Sequence, residues 1–403
     1  MYDVMQGVKV VEVAEHTFVP AAAMILADWG ADVIKIERAA HGGDASRSMR
    51  IIQRPGLRSN PFFEAANRNK RGVGLDLTKP EGRELLYQLI DQADVFITNM
   101  RDDAKAKLGI QADTLMARNP RLIYASGTGF GTRGPLKEAR GFDFPTSWCR
   151  SGSGFVQTPL DGNPPPAQPG SVGDLTGGAT LCGAICAALY RRERTGRGTV
   201  VDHALYMMGT YIMSQSLISA SMGWQPAGPP PTREAMPDPM MNMYRTKDAR
   251  WLVLCLLYDA WWADFARHIG HEDWITDERY RDPSARAANC VEMIRELDAI
   301  FVTKTLAEWE AEFADLEGVW SPLKSPAEVI EDEQALVNGF VTPVTYPDGE
   351  QYLVGASPAQ FDGRPIGELR ASPTHGQHTD DVMRELGLTA EQIDGLRGAG
   401  IIA

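Results

Sequence analysis

The stretch KVVEVAEHTFVPAAAMILADWGADVIKIE, residues 9–37, determines the fold predicted for this chain. Two short runs of mostly apolar residues, Lys9–Ala14 and Ala31–Glu37, predict buried strands. Between them the alanine-rich segment Pro20–Trp29 predicts a helix with proline near its first position, where the missing N–H costs no hydrogen bond. The stretch therefore predicts a β-α-β unit.

A second alternation of strands and helices follows this unit. It consists of a strand at Gly72–Leu77, a helix at Pro80–Gln92, a strand at Val95–Thr98, a helix towards Leu108 and a strand at Arg121–Ser126. Strands that alternate with helices at this spacing form a mostly parallel sheet with right-handed crossovers. We therefore predict an α/β fold that binds its ligands at the carboxyl ends of the strands.

This alternation of strands and helices first suggests a dinucleotide-dependent oxidoreductase. In such an enzyme Glu37, at the end of the second strand, would bind the ribose. The first turn, Glu15–Pro20, contains no glycine, so it does not match the pyrophosphate-binding turn. Gly129–Gly134 matches the spacing of the glycine pattern, but Pro135 follows and no helical period begins there. The sequence therefore disfavours the oxidoreductase and indicates a flexible loop at Gly129–Gly134.

The composition is that of an acidic globular protein. The chain has 403 residues, 43% of them hydrophobic, and a net charge of -13. Two hydrophobic cores fit this length better than one. Nucleic acids and anionic membranes both require a dominant basic field, so we expect neither as a partner.

The cysteines and histidines indicate a reduced, cytoplasmic protein without a metal. The five cysteines form no C-x-x-C pair, and Cys182 and Cys186 suit one apolar face of a helix. The N-terminus lacks the features of a signal peptide, and no uninterrupted apolar run reaches membrane-spanning length. The histidines are scattered without the spacing of a metal site.

Basic residues recur where the predicted strands begin or end. Because the carboxyl ends of parallel strands share one edge of a sheet, we expect such residues to surround one binding site at that edge. Together they indicate a multiply phosphorylated ligand, either CoA or a nucleotide. The residues are Arg38, Arg68, Lys70, Arg71, Arg101, Lys105, Lys107 and Arg140.

Asp174 is the candidate reactive group. It follows a loop rich in proline and glycine and precedes an apolar helix predicted over Leu175–Arg192. A carboxylate at a helix N-terminus accepts backbone N–H bonds and is favoured in its charged form, so we expect Asp174 to be ionised at neutral pH. A purely structural helix cap is the alternative. Gly177 and Gly178 are unfavourable inside a helix and indicate close approach of a bulky group to the backbone.

Beyond this helix the chain predicts a strand at Val200–Leu205, a helix over Tyr206–Met222 and a proline-rich linker at Pro226–Pro239. A strand-turn-strand pattern at Tyr244–Leu254 then opens a tryptophan-rich segment. Later come strands within Pro343–Pro358 and two helices, Thr379–Leu388 and Thr389–Arg397. We therefore divide the chain into residues 1–225, a smaller α+β domain at 226–330, and residues 331–403.

With these segments in place, the chain resembles the family III CoA-transferases, which include formyl-CoA:oxalate and carnitine CoA-transferases and the related α-methylacyl-CoA racemases. The likeness covers nearly the whole chain. The segments that carry it are Leu26–Arg38, Asn67–Leu77, Gly141-Phe142-Asp143, Gly173-Asp174 with its glycines, Tyr244–Asp248 and Gly318–Pro322.

The resemblance implies a fold, an assembly and a mechanism. The fold would be a Rossmann-like large domain built from both ends of the chain, with a smaller middle domain, in an interlocked homodimer. Asp174 matches the family's catalytic aspartate, which forms an acyl-aspartyl anhydride and an aspartyl-CoA thioester while CoA passes between acyl-CoA and a carboxylic acid. Gly177 and Gly178 would leave room for the thioester and offer N–H groups to an oxyanion.

The resemblance also implies where coenzyme A binds. Arg38, Asn99, Lys107 and Arg140 occupy positions at which family members contact its nucleotide and phosphates. We expect three further residues, His16, Met100 and Asp143, in the same CoA site. His16 stands where several transferases have glutamine, and Met100 begins a segment that replaces the family's usual Phe-x-Pro-Gly.

The alternatives are a racemase and a CoA-binding protein without catalysis. Racemases have a histidine at the position that Phe142 occupies here. Phenylalanine cannot exchange a proton. Asp143 and His16 are the remaining candidates for a second base, so we rank transferase above racemase. A non-catalytic binding protein would not need Asp174. The sequence does not identify the acyl donor or the acceptor acid.

Overall fold

The computed structural model describes residues 1–49, 56–159, 163–223 and 232–403. These divide into two compact units. The first contains Met1–Phe155, Pro166–Gln225 and Glu333–Ala403, and the second contains Val156–Pro165 and Pro226–Asp332. The predicted division did not assign Val156–Pro165 to the smaller unit. Residues 226–231 of the predicted linker lie outside the described residues.

A six-stranded parallel sheet forms the centre of the first unit, which confirms the predicted α/β class. Its order is β3-β2-β1-β4-β5-β6. The order reverses between β1 and β4, and this reversal opens a crevice at the carboxyl ends of the strands. The strands are β1 (Lys9–Val13), β2 (Asp32–Glu37), β3 (Arg71–Gly74), β4 (Val95–Thr98), β5 (Ile123–Thr128) and β6 (Thr199–Ala204).

The helices predicted at Pro20–Trp29, at Pro80–Gln92 and towards Leu108 are present, and Pro80–Gln92 has the predicted bounds, but the helices at Pro61–Asn67 and Ala112–Arg118 were not predicted. The long helix that carries Asp174 begins earlier than expected, at Val172, and the helix predicted over Tyr206–Met222 is two helices. These elements are α1 (Phe18–Asp28), α2 (Pro61–Asn67), α3 (Pro80–Gln92), α4 (Asp102–Leu108), α5 (Ala112–Arg118), α6 (Ser153–Val156), α7 (Val172–Thr195), α8 (Leu205–Ile212) and α9 (Ser214–Ser221).

Helices α1 and α7 pack directly against each other, and every residue of α1 is buried. Small residues make this contact possible. A Cβ atom on Gly178 would lie 2.7 Å from the Cβ of Ala21, and one on Gly177 would lie 2.7 Å from the ring of Phe18. The close approach predicted from these glycines is therefore made by α1.

Helix α7 meets the length and composition criteria for a membrane span, although polar residues such as Asp174 and Thr180 interrupt its apolar sequence. It has 24 residues, and an 18-residue window within it has a mean hydropathy of 1.4. Leu181, Cys182 and Ile185 are fully buried and pack in one core cluster with α1 and the sheet. This packing accounts for its apolar character, since a core helix passes the same criteria.

The C-terminal segment returns to the first unit. Strands β10 (Val341–Thr345) and β11 (Gln351–Gly355) form an antiparallel hairpin, and β12 (Leu369–Arg370) pairs with β10. Helices α15 (Glu333–Val337), α16 (Thr379–Glu385) and α17 (Ala390–Gly398) complete it. Val382, Met383 and Ile393 pack in the same cluster as the strands of the main sheet. Thr389 forms a capping box with Gln392.

The second unit combines an antiparallel sheet with helices around an aromatic core. The predicted strand-turn-strand is present, and a third strand extends it. The elements are β7 (Met243–Arg245), β8 (Trp251–Cys255), β9 (Val319–Pro322), α10 (Trp262–His268), α11 (Pro283–Ala288), α12 (Cys290–Phe301), α13 (Leu306–Glu312) and α14 (Pro326–Val329). Its core includes the fully buried side chains Tyr244, Phe265, Phe301 and Trp309.

Candidate active site

A cavity of about 490 Å³ opens at the carboxyl ends of the central strands in the first unit. Five of the predicted site residues line it, although they come from four separate parts of the chain: His16, Asn99, Met100, Arg140 and Asp174. Phe18, Lys105, Thr128 and Phe142 are among the other lining residues. The structure therefore brings half of the predicted site into one space.

Asp174 lies in the first turn of α7, at the third helical residue, and its side chain is half-buried. The residue before the helix, Ser171, has the left-handed backbone conformation and makes no side-chain cap. The capping acceptor is Asp143, which accepts the backbone N–H of Asp174 at 3.1 Å. Asp174 is therefore held by a cap rather than acting as one.

Asp143 does not line the cavity, but it contacts the backbone of Asp174, which does. Its carboxylate also accepts the Gln168 side-chain amide at 2.8 Å and the hydroxyl of Ser147. Sequence reasoning missed Gln168 and Ser147. No local motif marks a side chain whose partner lies 25 residues further along the chain, so only the fold identifies this cluster.

The ionisation of Asp174 differs from the prediction. Burial of the carboxyl group, and then the negative charge of Asp143, raise the pKa of Asp174 to about 7. The positive end of a helix dipole favours the charged form, but its effect is limited at a helix end that has a carboxylate as its cap. Desolvation and a nearby like charge outweigh it here. The expectation of a fully ionised aspartate at neutral pH is therefore wrong.

Gly177 and Gly178 take a role different from the one predicted. Only the first four N–H groups of a helix lack an intrahelical acceptor, and both glycines lie beyond them in α7. Their N–H groups are therefore engaged within the helix instead of being free for an oxyanion. Both residues are buried and serve the packing of α1 described above.

A second, smaller cavity of about 130 Å³ adjoins the first and shares Glu15 and Met100 with it. Its lining is mainly aliphatic and includes Val13, Ala14, Ile36, Leu75, Leu77 and Leu108. Arg38 also lines this cavity, with a side chain that is 58% exposed and an ion pair to Glu15 at 3.1 Å. The pair of cavities thus combines a narrow apolar slot with a basic rim.

Asn99 and Lys107, two further predicted CoA contacts, differ in their position relative to the cavities. The Asn99 side chain donates to the carbonyl of Glu15 at 2.6 Å and accepts the Glu15 N–H at 3.1 Å. The Asn99 side chain therefore holds the loop after β1 in place. Both polar atoms of its amide are used in these bonds, and they are the atoms that a nucleotide would contact. Lys107 is exposed on α4 and lines neither cavity.

Several of the basic residues assigned to a phosphorylated ligand are engaged in ion pairs. Arg68 is buried against Asp28 at 2.7 Å, and Lys70 is buried against Glu12 at 2.6 Å. Arg71 pairs with Asp32 at 2.6 Å. These side chains hold α1, α2 and the strands together, so they are unavailable to a ligand. A sequence pattern of charges could not show this because each partner lies far along the chain.

His16 has a strained backbone at the mouth of the main cavity. Its φ of +67° lies in the left-handed region that residues other than glycine rarely adopt. Its N–H donates to the carboxylate of Asp44 at 3.2 Å, and its ring is nearly perpendicular to that of Phe142, with 5.3 Å between the ring centroids. Phe142 itself is 58% exposed and lines the same cavity.

No group of three or more potential metal ligands lies within the described ranges. The chemistry that this site offers is therefore that of a carboxyl group with a pKa close to neutrality, beside a half-buried imidazole and a basic rim. A carboxylate of this kind suits either covalent catalysis or proton transfer.

Comparison with known proteins gives consistent results. The profile of CoA-transferase family III matches residues 5–379. The chain is 33% identical to (R)-2-hydroxy-4-methylpentanoate CoA-transferase of Clostridioides difficile, over 99% of both chains. It is 31% identical to cinnamoyl-CoA:phenyllactate CoA-transferase of Clostridium sporogenes, over 98% of this chain and 96% of the relative. The crystal structure of a CAIB/BAIF family protein from Brucella suis superposes with a TM-score of 0.82 at 29% identity, covering 95% of this chain and 99% of that one.

Proposed function

The chain belongs to CoA-transferase family III, an enzyme family that acts on CoA thioesters, and from this premise we propose that it transfers CoA through covalent intermediates on Asp174. The donor is an acyl-CoA and the acceptor a carboxylic acid. The observation that carries the proposal is the position of Asp174, a half-buried carboxyl group on the wall of the 490 Å³ cavity.

The proposed reaction has four balanced steps. The Asp174 carboxylate attacks the acyl carbonyl carbon; a C–O bond forms, the C–S bond breaks, and CoA leaves as the thiolate. The thiolate attacks the aspartyl carbonyl of this anhydride, which releases the first acid and leaves an aspartyl-CoA thioester. The acceptor carboxylate attacks that thioester to give a second anhydride and CoA thiolate. The thiolate then takes the new acyl group and frees Asp174. Each step replaces one activated carbonyl by another, so no step requires an oxidant or a metal.

We propose that CoA spans both cavities. The aliphatic slot suits the adenine ring, and the exposed side chains of Arg38 and Arg140 suit the phosphates. The thiol arm would pass the shared residues Glu15 and Met100 towards Asp174. Lys107 and Asn99 are second candidates, since Lys107 lines neither cavity and the Asn99 amide is bonded to Glu15.

Phe142 supports transferase over racemase. It occupies the cavity at the position where a proton-transferring histidine would be required, and its ring has no group that exchanges a proton. Asp143, one of the two alternative bases, is engaged with Gln168, Ser147 and the N–H of Asp174.

The test is a product assay. The protein is incubated with an acyl-CoA and a panel of acids, which includes 2-hydroxy-4-methylpentanoate and phenyllactate, and new CoA thioesters are identified by mass spectrometry. Asp174→Ala should abolish the product. Asp113→Ala, which removes an exposed aspartate from the first turn of α5, should leave it unchanged. If solvent deuterium enters the acyl α-carbon while no new thioester forms, the enzyme is a racemase and the proposal fails.

We further propose that the enzyme is a homodimer, interlocked as the family resemblance implies. Helices α8 and α9 support this proposal because large apolar side chains on them are exposed in the single chain. These include Met207 at 52%, Tyr211 at 74% and Ile218 at 58%, and Met222, directly after α9, is 81% exposed. Light scattering should give twice the mass of one chain, and Tyr211→Glu with Ile218→Glu should reduce it. A monomer at all concentrations would contradict the proposal.

We also propose a cytoplasmic location. The five cysteines are all in the described part of the chain and are free, as expected for a reducing compartment. Cell fractionation tests this, and recovery of the enzyme with an exported fraction would contradict it.

A further inference from the structure

The proposed transfer requires a hydrogen-bond donor for the acyl oxygen. When a carboxylate attacks a thioester, the carbonyl oxygen becomes negatively charged in the tetrahedral intermediate, and a fixed donor stabilises it. The N–H groups of Gly177 and Gly178 are engaged within α7. Two other side-chain donors on the cavity wall are engaged as well: the Asn99 amide bonds to Glu15, and the Lys105 ammonium bonds to Ser126 at 3.0 Å.

Among the described side chains on the cavity wall, His16 is a half-buried donor that makes no ring hydrogen bond. Its Nδ1 is buried without a hydrogen-bond partner, and no residue in the described part of the chain bonds to its Nε2. A buried N–H without an acceptor is rarer than a buried acceptor without a donor. The ring proton therefore belongs on Nε2, which leaves Nε2–H as a donor at the ring edge opposite the buried nitrogen.

The backbone around His16 is clamped in a costly conformation. A residue other than glycine rarely adopts the left-handed conformation, and such strain is typical of functional sites. Asp44 accepts the N–H of His16, and the two hydrogen bonds from Asn99 hold Glu15 immediately before it. Asp44 is itself buried and paired with Lys35 at 2.9 Å. The ring of Phe142 packs nearly perpendicular to the imidazole.

We propose that His16 is a catalytic residue whose Nε2–H hydrogen-bonds the acyl oxygen as Asp174 attacks, an inference that rests on the proposed function. The C–O bond to Asp174 forms and the π electrons of the carbonyl move to its oxygen. His16 donates a hydrogen bond to that oxygen without transferring its proton. The electron pair returns as the C–S bond breaks and CoA leaves as the thiolate. The same contact serves both anhydride-forming steps.

The test uses two histidines that share one unusual backbone conformation. His16→Gly removes the imidazole and relieves the strain, so it should not impair folding. His41 also has a left-handed backbone, with a φ of +66°, but it is exposed and lines neither cavity. His41→Gly is therefore the matched control. His16→Gln restores a side-chain N–H donor and is the rescue variant.

The measurement is the single-turnover rate of Asp174 acylation by acyl-CoA, followed by rapid quench and intact mass, with the Kd for free CoA measured separately. We expect His16→Gly to be roughly 100-fold slower, the effect of losing one oxyanion donor. His16→Gln should recover most of the rate, His41→Gly should match the unaltered protein, and the Kd should stay within about twofold.

Two results overturn the role of His16: an unchanged acylation rate in His16→Gly, or a rate in His16→Gln as low as that in His16→Gly. Failure of the unaltered protein to acylate Asp174 would remove the proposed function itself. The two failures are therefore distinguishable within one experiment.

Discussion

The backbone N–H of Asp174 donates to the carboxylate of Asp143 at 3.1 Å, so the candidate nucleophile is held in place by a second carboxyl group. This contact gives α7 its N-terminal cap and also brings two negative charges together. Asp143 is engaged by Gln168 and Ser147, whereas the Asp174 side chain faces the cavity. The like charge and the burial together explain why the pKa of Asp174 is raised.

The pH dependence of the first acylation should follow Asp174. Because only the carboxylate is nucleophilic and burial with the Asp143 charge raises its pKa to about 7, kcat/KM should rise with pH and reach half its maximum near pH 7. Asp143→Asn keeps an acceptor for the Asp174 N–H but removes the charge, so the midpoint should move to lower pH. Rate profiles of both proteins test this, and a midpoint that moves upward would contradict it.

The stability of the protein should depend on the same group. The pKa of Asp174 is 3.8 in an ordinary environment and about 7 in the fold. The folded state therefore keeps the proton between these values, and its free energy of unfolding falls as the pH rises through this window. Asp174→Asn has no ionisable group at this position, so its free energy of unfolding does not fall in this way. Above pH 7 it should be more stable than the unaltered protein by roughly 1–2 kcal/mol, since solvent at the half-buried site screens part of the effect.

Denaturant titrations at several pH values measure this difference. The advantage of Asp174→Asn should be small near pH 4, grow up to about pH 7 and remain constant above it. If the stability difference between Asp174→Asn and the unaltered protein shrinks as the pH rises, the predicted direction of the pH dependence is wrong.

Two glycines of α7 should respond to alanine in opposite ways. A Cβ on Gly178 would lie 2.7 Å from Ala21 Cβ and 2.8 Å from the carbonyl oxygen of Phe18, so Gly178→Ala should lower the free energy of unfolding by about 1–3 kcal/mol. Gly183 lies in the same helix and has nothing within 4 Å of the added atom. Gly183→Ala should stabilise by about 1 kcal/mol through helix propensity. Equal effects of the two substitutions would contradict the packing role.

Much of the α/β framework follows from local sequence. The alternation in residues 9–37 and 72–126 identifies the strands because buried parallel strands are short apolar runs, and the bounds of α3 and β4 are those predicted. The position of Asp174 at the start of a helix also follows from the glycine-rich approach and the apolar segment after it. These features depend on neighbours within a few residues.

The electrostatics of the site could not be predicted in the same way. The pKa of Asp174 depends on Asp143, 31 residues away, and on burial that only packing creates. Arg68 and Lys70 read as ligand contacts in the sequence, but Asp28 and Glu12 neutralise them in the fold. Gly177 and Gly178 were assigned to the ligand because the sequence could not show that α1 packs against them.

The buried ion pair between Arg68 and Asp28 should contribute far more than an exposed one. Asp28 also accepts the Asn69 amide at 2.7 Å. Asp28→Asn leaves a buried guanidinium without a charged partner and should cost about 3–5 kcal/mol. Asp91 pairs with Arg118 at 2.6 Å, but both side chains are partly exposed. Asp91→Asn should therefore cost less than about 1 kcal/mol. Chemical denaturation of both variants measures the difference, and similar losses would contradict a structural role for Arg68.

Covalent transfer through Asp174 is tested most directly by intact mass spectrometry of the enzyme during turnover, with and without hydroxylamine. Acyl-CoA should add an acyl or CoA mass to the unaltered protein, and hydroxylamine should convert Asp174 to its hydroxamate, which peptide mapping locates. Asp174→Ala should show neither change and form no new thioester. If the unaltered protein transfers CoA with no adduct on Asp174, or if Asp174→Ala carries the same adduct, the proposed mechanism is wrong.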